Sequence, residues 1–325
     1  MITRREFIAG ASALVGSAAA IARDTRTFTA ADVHVEGYPT VVAVRGMGER
    51  IAEQTNGRLQ MKVYHSGQLG RESDTVDLAR FGGLDITRVN FAALNNPFPL
   101  TGVFCWPYLF DSVEHMRRCV DSQIGAAVLK GFETRGLIGL AIYDAGARSF
   151  YNVRRPIHEP RDLHGLKIRV PPSDIFIDLV RALGANPTPL SYGEVYSALQ
   201  THLIEGAENN WRTFDTSRQF EVARYWSDTA HSYSPEALLM SARTFNALSD
   251  DDKEIVLSAA RDSVNSMRVL WDRLEIESRD RVLAAGVKRN DVDMDAFRRH
   301  GEAVVARYLH DAQLASLYER IRAAA

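Results

Sequence analysis

The chain has 325 residues, 46% of them hydrophobic and 25% charged, with 39 Lys and Arg against 41 Asp and Glu. A net charge of −2 without a basic stripe argues against a nucleic-acid partner and against a polybasic membrane-binding surface. The length is generous for one hydrophobic core and suits two lobes.

Thr3-Arg4-Arg5-Glu6-Phe7-Ile8 precedes an apolar, small-residue run from Ile8 to Ala22, which closes on Ala20-Ile21-Ala22. A charged start, a short apolar stretch and an A-x-A pattern before Arg23 read as a cleaved export signal over residues 1–22. The paired arginines narrow the route to twin-arginine export. At roughly 15 residues the run falls short of the ~20 that span a bilayer. No second stretch approaches spanning length, so the mature chain is expected to be soluble, periplasmic and by default monomeric.

Strands and helices then alternate. Residues 26–35 read as an opening strand, Thr40–Glu53 has helical apolar spacing, and Arg58–Tyr64 alternates after the Asn56-Gly57 turn. A helix from about Arg71 to Phe81 and a strand over Leu84–Val89 follow. Cys105 and Cys119 either close one loop or remain buried thiols, and a chain this long needs no bridge. After the Gly136 break come strands at Leu137–Tyr143, Phe150–Val153 and Leu166–Val170, then helices at Ile175–Leu183 and Tyr192–Gln200. The alternation predicts an α/β fold with parallel sheets.

From Asp250 to about Ala284 one helical pattern runs with almost no breaker, opened by Ser249-Asp250-Asp251-Asp252. Acidic residues suit a helix N-terminus, and at 1.5 Å per residue the helix reaches about 50 Å, longer than one small lobe. There is no low-complexity linker, so the chain is expected to cross between lobes more than once and to hinge there. The expected division places 23–145 with 235–273 in lobe 1, and 146–234 with 274–325 in lobe 2. A small ligand would bind in the cleft between them.

The chemistry concentrates in residues 146–213. In Lys167-Ile168-Arg169-Val170-Pro171 the arginine points to the opposite strand face from its apolar neighbours. Arg148 opens another extended segment, and two guanidinium forks at one mouth would grip a carboxylate. For either arginine an internal salt bridge is the commoner alternative. Ile204-Glu205-Gly206-Ala207-Glu208-Asn209-Asn210-Trp211 does not resemble a core strand. Its amides suit sugar hydroxyls and its tryptophan suits a sugar ring, or else it is a turn in which asparagines bond their own backbone.

Gly165-Leu166-Lys167-Ile168-Arg169-Val170-Pro171, Leu183-Gly184-Ala185-Asn186-Pro187-Thr188-Pro189-Leu190, Gly193–Thr201 and Ile204–Asn210, in this order, resemble the substrate-binding subunit of TRAP (tripartite ATP-independent periplasmic) transporters. Gly67-Gln68-Leu69-Gly70, Pro107-Tyr108-Leu109-Phe110, Gly146-Ala147-Arg148 and Leu248-Ser249 extend the likeness over the whole mature chain. The resemblance implies two α/β lobes, a strand hinge, a lobe-spanning helix and delivery to membrane subunits. It implies Arg169 as carboxylate clamp, Arg148 as a second arginine, Asn209 closing over the ligand, and Glu208 touching the ligand or supporting the cleft.

The Glu208-Asn209-Asn210-Trp211 run is similar to members that take sugar acids such as glucuronate or galacturonate. Glu36, Glu72 and Glu236 are candidate hydroxyl acceptors, since an unpaired buried hydroxyl costs about 1–3 kcal/mol. Asn90 is a weaker candidate, and His231 suits a hinge hydrogen bond better than a ligand contact. A C4-dicarboxylate ligand, a sensor subunit and an enzyme acting on sugar acids are the alternatives. The chain has no G-x-S-x-G elbow, H-E-x-x-H or phosphate loop to support an enzyme. No metal or cofactor is expected, because Asn209-Asn210 stand where a ligating side chain would be sought and no Cys/His cluster has metal spacing.

Overall fold

The structure, a computed structural model, describes residues 25–324; the expected export signal over residues 1–22 lies outside them. Strand β1 (Arg26–Ala31) is followed by α1 (Pro39–Gln54), β2 (Leu59–Tyr64), α2 (Glu72–Phe81) and β3 (Ile86–Asn90). Proline at the first position of α1 supplies a preset φ where no amide donor is needed. Four short helices come next, α3 (Phe91–Leu94), α4 (Pro99–Val103), α5 (Val113–Val120) and α6 (Gln123–Gly131), and then β4 (Leu137–Tyr143). The second lobe carries β5 (Ala147–Asn152), β6 (Lys167–Val170), α7 (Asp174–Ala182), β7 (Asn186–Pro189), α8 (Val195–Gln200), β8 (Gly206–Asn209), α9 (Trp211–Thr216) and β9 (Tyr225–Tyr233). The chain returns through β10 (Glu236–Ser241), α10 (Ala242–Asn246), α11 (Asp250–Ala284), β11 (Lys288–Asn290), α12 (Met294–Ala306) and α13 (Ala312–Arg322).

The strands form two sheets, β2-β1-β3-β10-β4 in lobe 1 and β11-β9-β5-β8-β6-β7 in lobe 2. They are mixed rather than parallel. β1 lies parallel to β2 and β3, and β6 to β7 and β8, but β10 is antiparallel to both neighbours and β5 antiparallel to β8 and β9. The exceptions are the strands that change lobe. β4 passes to β5 through three residues and β9 returns to β10 through two, so the strands that leave and re-enter a lobe lie side by side and run in opposite directions.

Those two connections, α11 and the segment between α12 and α13 join the lobes. Gly146, in the first connection, has φ +64°, and an added Cβ would lie 3.1 Å from Trp271 and from Glu275 and 3.3 Å from Asn210. Only glycine fits such a left-handed, crowded position. α11 starts with Ser249 accepting the Asp252 amide behind three acidic residues, as its sequence predicts. It packs on α1 and β4 at one end and on α9 at the other.

The C-terminal segment divides between the lobes. α12 packs on α7 of lobe 2, whereas α13, expected with lobe 2, lies against lobe 1. There His115 Nε2 bonds the Ile321 carbonyl at 2.9 Å, and Arg322 donates to the Leu109 carbonyl at 2.9 Å. Cys105 and Cys119 are buried free thiols; burial pushes the Cys105 thiol up to about 11.

The segment that did not resemble a core strand contains one. β8, Gly206–Asn209, is wholly buried between β5 and β6. Gly206 lets the strands approach, since a Cβ there would meet the Tyr151 carbonyl oxygen at 2.6 Å. Glu208 is tolerated at 0% exposure because a guanidinium lies directly beside it.

Candidate functional site

A cavity of about 550 Å³ opens between the lobes, within the range of small-molecule sites. Three adjacent strands, β5, β8 and β6, build its lobe 2 wall and carry Arg148, Asn209 and Arg169. Arg148 is already committed. Its Nε and Nη2 reach the two Glu208 carboxylate oxygens at 2.5 and 2.8 Å, and Nη1 reaches Asn209 Oδ1 at 3.2 Å. Burial alone would raise the Glu208 pKa; Arg148 and His231 outweigh it and hold the group at about 2. His231 Nε2 stands 3.3 Å from Glu208 Oε2 and Nδ1 stands 2.9 Å from Thr229 Oγ1. Burial depresses the His231 pKa against the pull of Glu208, so the ring supports the pair as a neutral partner.

Arg169 is different. It is 4% exposed, yet among the described residues its guanidinium makes one hydrogen bond, from Nε to the Leu190 carbonyl at 2.9 Å. Burial lowers its pKa, with Glu208 opposing, but an arginine keeps its charge in a protein. A buried cation lacking a carboxylate partner is costly, and an incoming carboxylate removes that cost.

The lobe 1 wall carries the opposite sign. Glu72 opens α2, Asn90 ends β3, and Glu236 opens β10 directly across from Asn90 in the β3–β10 register. All three line the cavity, with His34 beside them. Beneath them Arg88, 1% exposed, meets Asp32 through Nε at 3.0 Å, Glu72 Oε1 at 3.0 Å and Glu236 Oε2 at 3.2 Å. Burial raises the pKa of Glu72 and of Glu236 despite Arg88, and burial lowers that of His34 well below the ordinary range. Glu72 Oε1 also accepts the Asn90 amide at 2.8 Å, and Asn90 Oδ1 caps α3 through the Ala92 amide at 2.9 Å.

The lobes touch across the mouth. Asn95 Nδ2 donates to Ser173 Oγ at 2.7 Å, Tyr38 Oη and Thr213 Oγ1 are 3.0 Å apart, and Arg71 Nη2 lies 3.5 Å from Glu194. His34 and Tyr192 meet edge to face at 5.0 Å. These contacts describe a closed cleft.

Two expected site residues lie elsewhere. Glu36 faces solvent and pairs with Arg45 at 2.7 Å. Asn210 caps α9, its Oδ1 accepting the Thr213 amide at 2.7 Å while Nδ2 bonds the Ala145 carbonyl. Successive residues leaving a strand face opposite ways, so Asn209 at the cavity carries Asn210 away from it. Trp211 stacks on Trp226 at 3.6 Å and lines no part of the cavity. Conversely, His34, Arg88, Asp32 and Tyr192 were not anticipated. Arg88 had a legible signal, an arginine inside the apolar strand Ile86-Thr87-Arg88-Val89, the same pattern that singled out Arg169.

Residues 30–311 match the family described as "Bacterial extracellular solute-binding protein, family 7". This chain belongs to that family. Its members bind solutes and are not enzymes. The solute-binding protein is 34% identical over 281 residues to a solute-binding protein of Chromohalobacter salexigens, covering 86% of this chain and 84% of the other. Among solved structures it is similar to a TRAP periplasmic solute binding protein from a Bradyrhizobium in complex with D-galacturonate. That likeness has 45% identity and a TM-score of 0.90, over 91% of this chain and 99% of that one. A Xanthobacter autotrophicus TRAP periplasmic solute binding protein with bound β-D-galacturonate is 41% identical, with a TM-score of 0.89 over 92% and 100% of the two chains. No helix among the described residues of the solute-binding protein is long and apolar enough to cross a membrane.

Proposed function

We propose that the protein captures a sugar acid, a hexuronate such as galacturonate or glucuronate, in the periplasm and delivers it to the membrane subunits of a TRAP transporter. The observation that carries this reading is the division of charge across one closed cavity. Arg169 on lobe 2 offers an unpaired guanidinium to the ligand carboxylate, while Glu72, Glu236, Asn90 and His34 on lobe 1 offer acceptors and donors to hydroxyls. Uronates bound to similar proteins support it.

A C4-dicarboxylate fits less well. Its second carboxylate would face three carboxylates sharing a single arginine, and like charges at close range cost several kcal/mol. Asn209 completes the lobe 2 wall, with Arg148 acting mainly through Glu208. Micromolar affinity corresponds to about −8 kcal/mol, within reach of one charge-assisted clamp and several hydrogen bonds. Calorimetric titration with D-galacturonate, D-glucuronate and succinate tests the reading. Tight binding of either uronate and none of succinate is the expected result, and the reverse pattern would refute it.

A further inference from the structure

Four buried side-chain polar atoms among the described residues have no hydrogen-bond partner: His34 Nδ1, Glu236 Oε2, Arg212 Nε and Ser241 Oγ. The first two belong to residues that line the lobe 1 wall of the cavity, and the other two do not. Burying a polar atom without a partner is unfavourable, so two such atoms in adjoining residues of one binding wall are hydrogen-bonding capacity that a ligand can use.

His34 cannot turn to find a partner of its own. One face of its ring is stacked on Tyr38, with centroids 3.6 Å apart and planes within 10°, and Tyr192 of lobe 2 meets its edge. Its backbone amide is tied to Asp32 Oδ1 at 2.8 Å. Its Nε2 stands 3.7 Å from Glu236 Oε1, beyond hydrogen-bond length. Arg88 Nη1 approaches Glu236 Oε2 at 3.2 Å without satisfying it. The charged and titratable groups around the pair are Arg88, Asp32 and Glu72 on lobe 1, with Tyr38 beneath the ring, and Tyr192, Arg148 and Arg212 on lobe 2.

We propose that His34, with Glu236, is the specificity-determining pair of the site, taking ring hydroxyls of the sugar acid at the end remote from its carboxylate. The proposal rests on the sugar-acid reading above and adds which residues select among such acids. Glu236 can only accept from a hydroxyl when ionised, while a neutral imidazole nitrogen serves a hydroxyl as donor or acceptor according to tautomer. The pair therefore favours a polyol end over an apolar or anionic one. Tyr38, on the same lobe, holds the imidazole in place ahead of binding, and Tyr192 of lobe 2 packs against it in the closed cleft.

The test is a cycle between side chain and ligand hydroxyl, read by calorimetry with D-galacturonate and its monodeoxy analogues. His34→Phe keeps the ring stacked on Tyr38 and removes both nitrogens. In the wild-type protein, loss of one particular hydroxyl is expected to weaken binding about 10- to 100-fold. His34→Phe should weaken the parent uronate by a similar factor and bind that deoxy analogue no worse than the parent. Full loss for every analogue in both proteins would mean that the effects add, and the proposal would fall. Unchanged affinity of His34→Phe for the parent uronate would overturn it as well. Glu236→Gln, run through the same cycle, gives a second reading should His34→Phe fold poorly. A wild-type protein that binds succinate but no uronate removes the sugar-acid reading itself, an outcome visible before any variant is made.

Discussion

The two walls of the cleft solve the same problem, a buried arginine, in opposite ways. On lobe 1 Arg88 is surrounded by Asp32, Glu72 and Glu236, so the wall carries more carboxylate than guanidinium. On lobe 2 Glu208 neutralises Arg148 and leaves Arg169 with only a carbonyl. Arg88 and Arg148 are each paired with buried carboxylates; under the proposed function Arg169 is the cation left for the ligand. Exposure does not separate the three arginines, since all are at most 4% exposed; what sets Arg169 apart is the lack of a carboxylate partner among the described residues.

The largest expected effect comes from removing the cation of the acidic wall. Arg88→Met should cost about 3–5 kcal/mol of stability in urea titrations, because it strands buried carboxylates. Burial already raises the pKa of Glu72 and Glu236, and loss of Arg88 raises them further. A raised carboxylate contributes stability below its ordinary range and loses it as pH rises through the raised value. The deficit should therefore be smaller at pH 5 than at pH 8; an equal deficit at both would break the electrostatic account of lobe 1.

Arg169→Ala addresses the other wall. Uronate affinity should fall by about 2–5 kcal/mol in calorimetry, while the melting temperature of the unliganded protein holds or rises. Arg148→Ala should do the reverse for stability, lowering the melting temperature by leaving Glu208 unpaired. If both variants melt alike, the distinction between the two arginines is lost.

The joint between the walls gives a smaller, pH-dependent effect. Glu275 on α11 accepts the Trp211 and Arg212 amides at 3.2 and 2.8 Å, and burial pushes its carboxyl up to about 7. Its neutral form is favoured in the fold, so its contribution is complete below about 4.3, the ordinary glutamate value, and declines as pH rises through 7. Glu275→Gln should flatten the stability profile across that window by about 1–3 kcal/mol. An unaltered profile would show that the carboxyl titrates normally. Least of all, Glu36→Gln should leave uronate affinity unchanged within about twofold, as expected of a solvent-exposed ion pair; a larger loss would return Glu36 to the site.

Local pattern was enough for some of the regular elements, though not for the helices over 91–131 and 294–322 or for the strands β9 and β10. The apolar spacing of α1, the Ser249 cap and acidic first turn of α11, and the strands at 59–64 and 137–143 each follow from residues within one or two turns of chain. The resemblance carried by Gly165–Asn210 is what singled out Arg169 and Asn209 as candidates. The sequence could not say which way a strand runs, because antiparallel β10 and β5 follow from the chain changing lobes. Nor could it separate Arg148 from Arg169: the decisive neighbours, Glu208 for one and the Leu190 carbonyl for the other, are brought in by strands 21 to 60 residues away. Glu36 and Glu236 looked equivalent in the sequence, yet one meets solvent and the other the cavity. Burial and partnership are properties of the packed sheets, since the free energy of a charge depends on what lies within a few ångströms in space rather than along the chain.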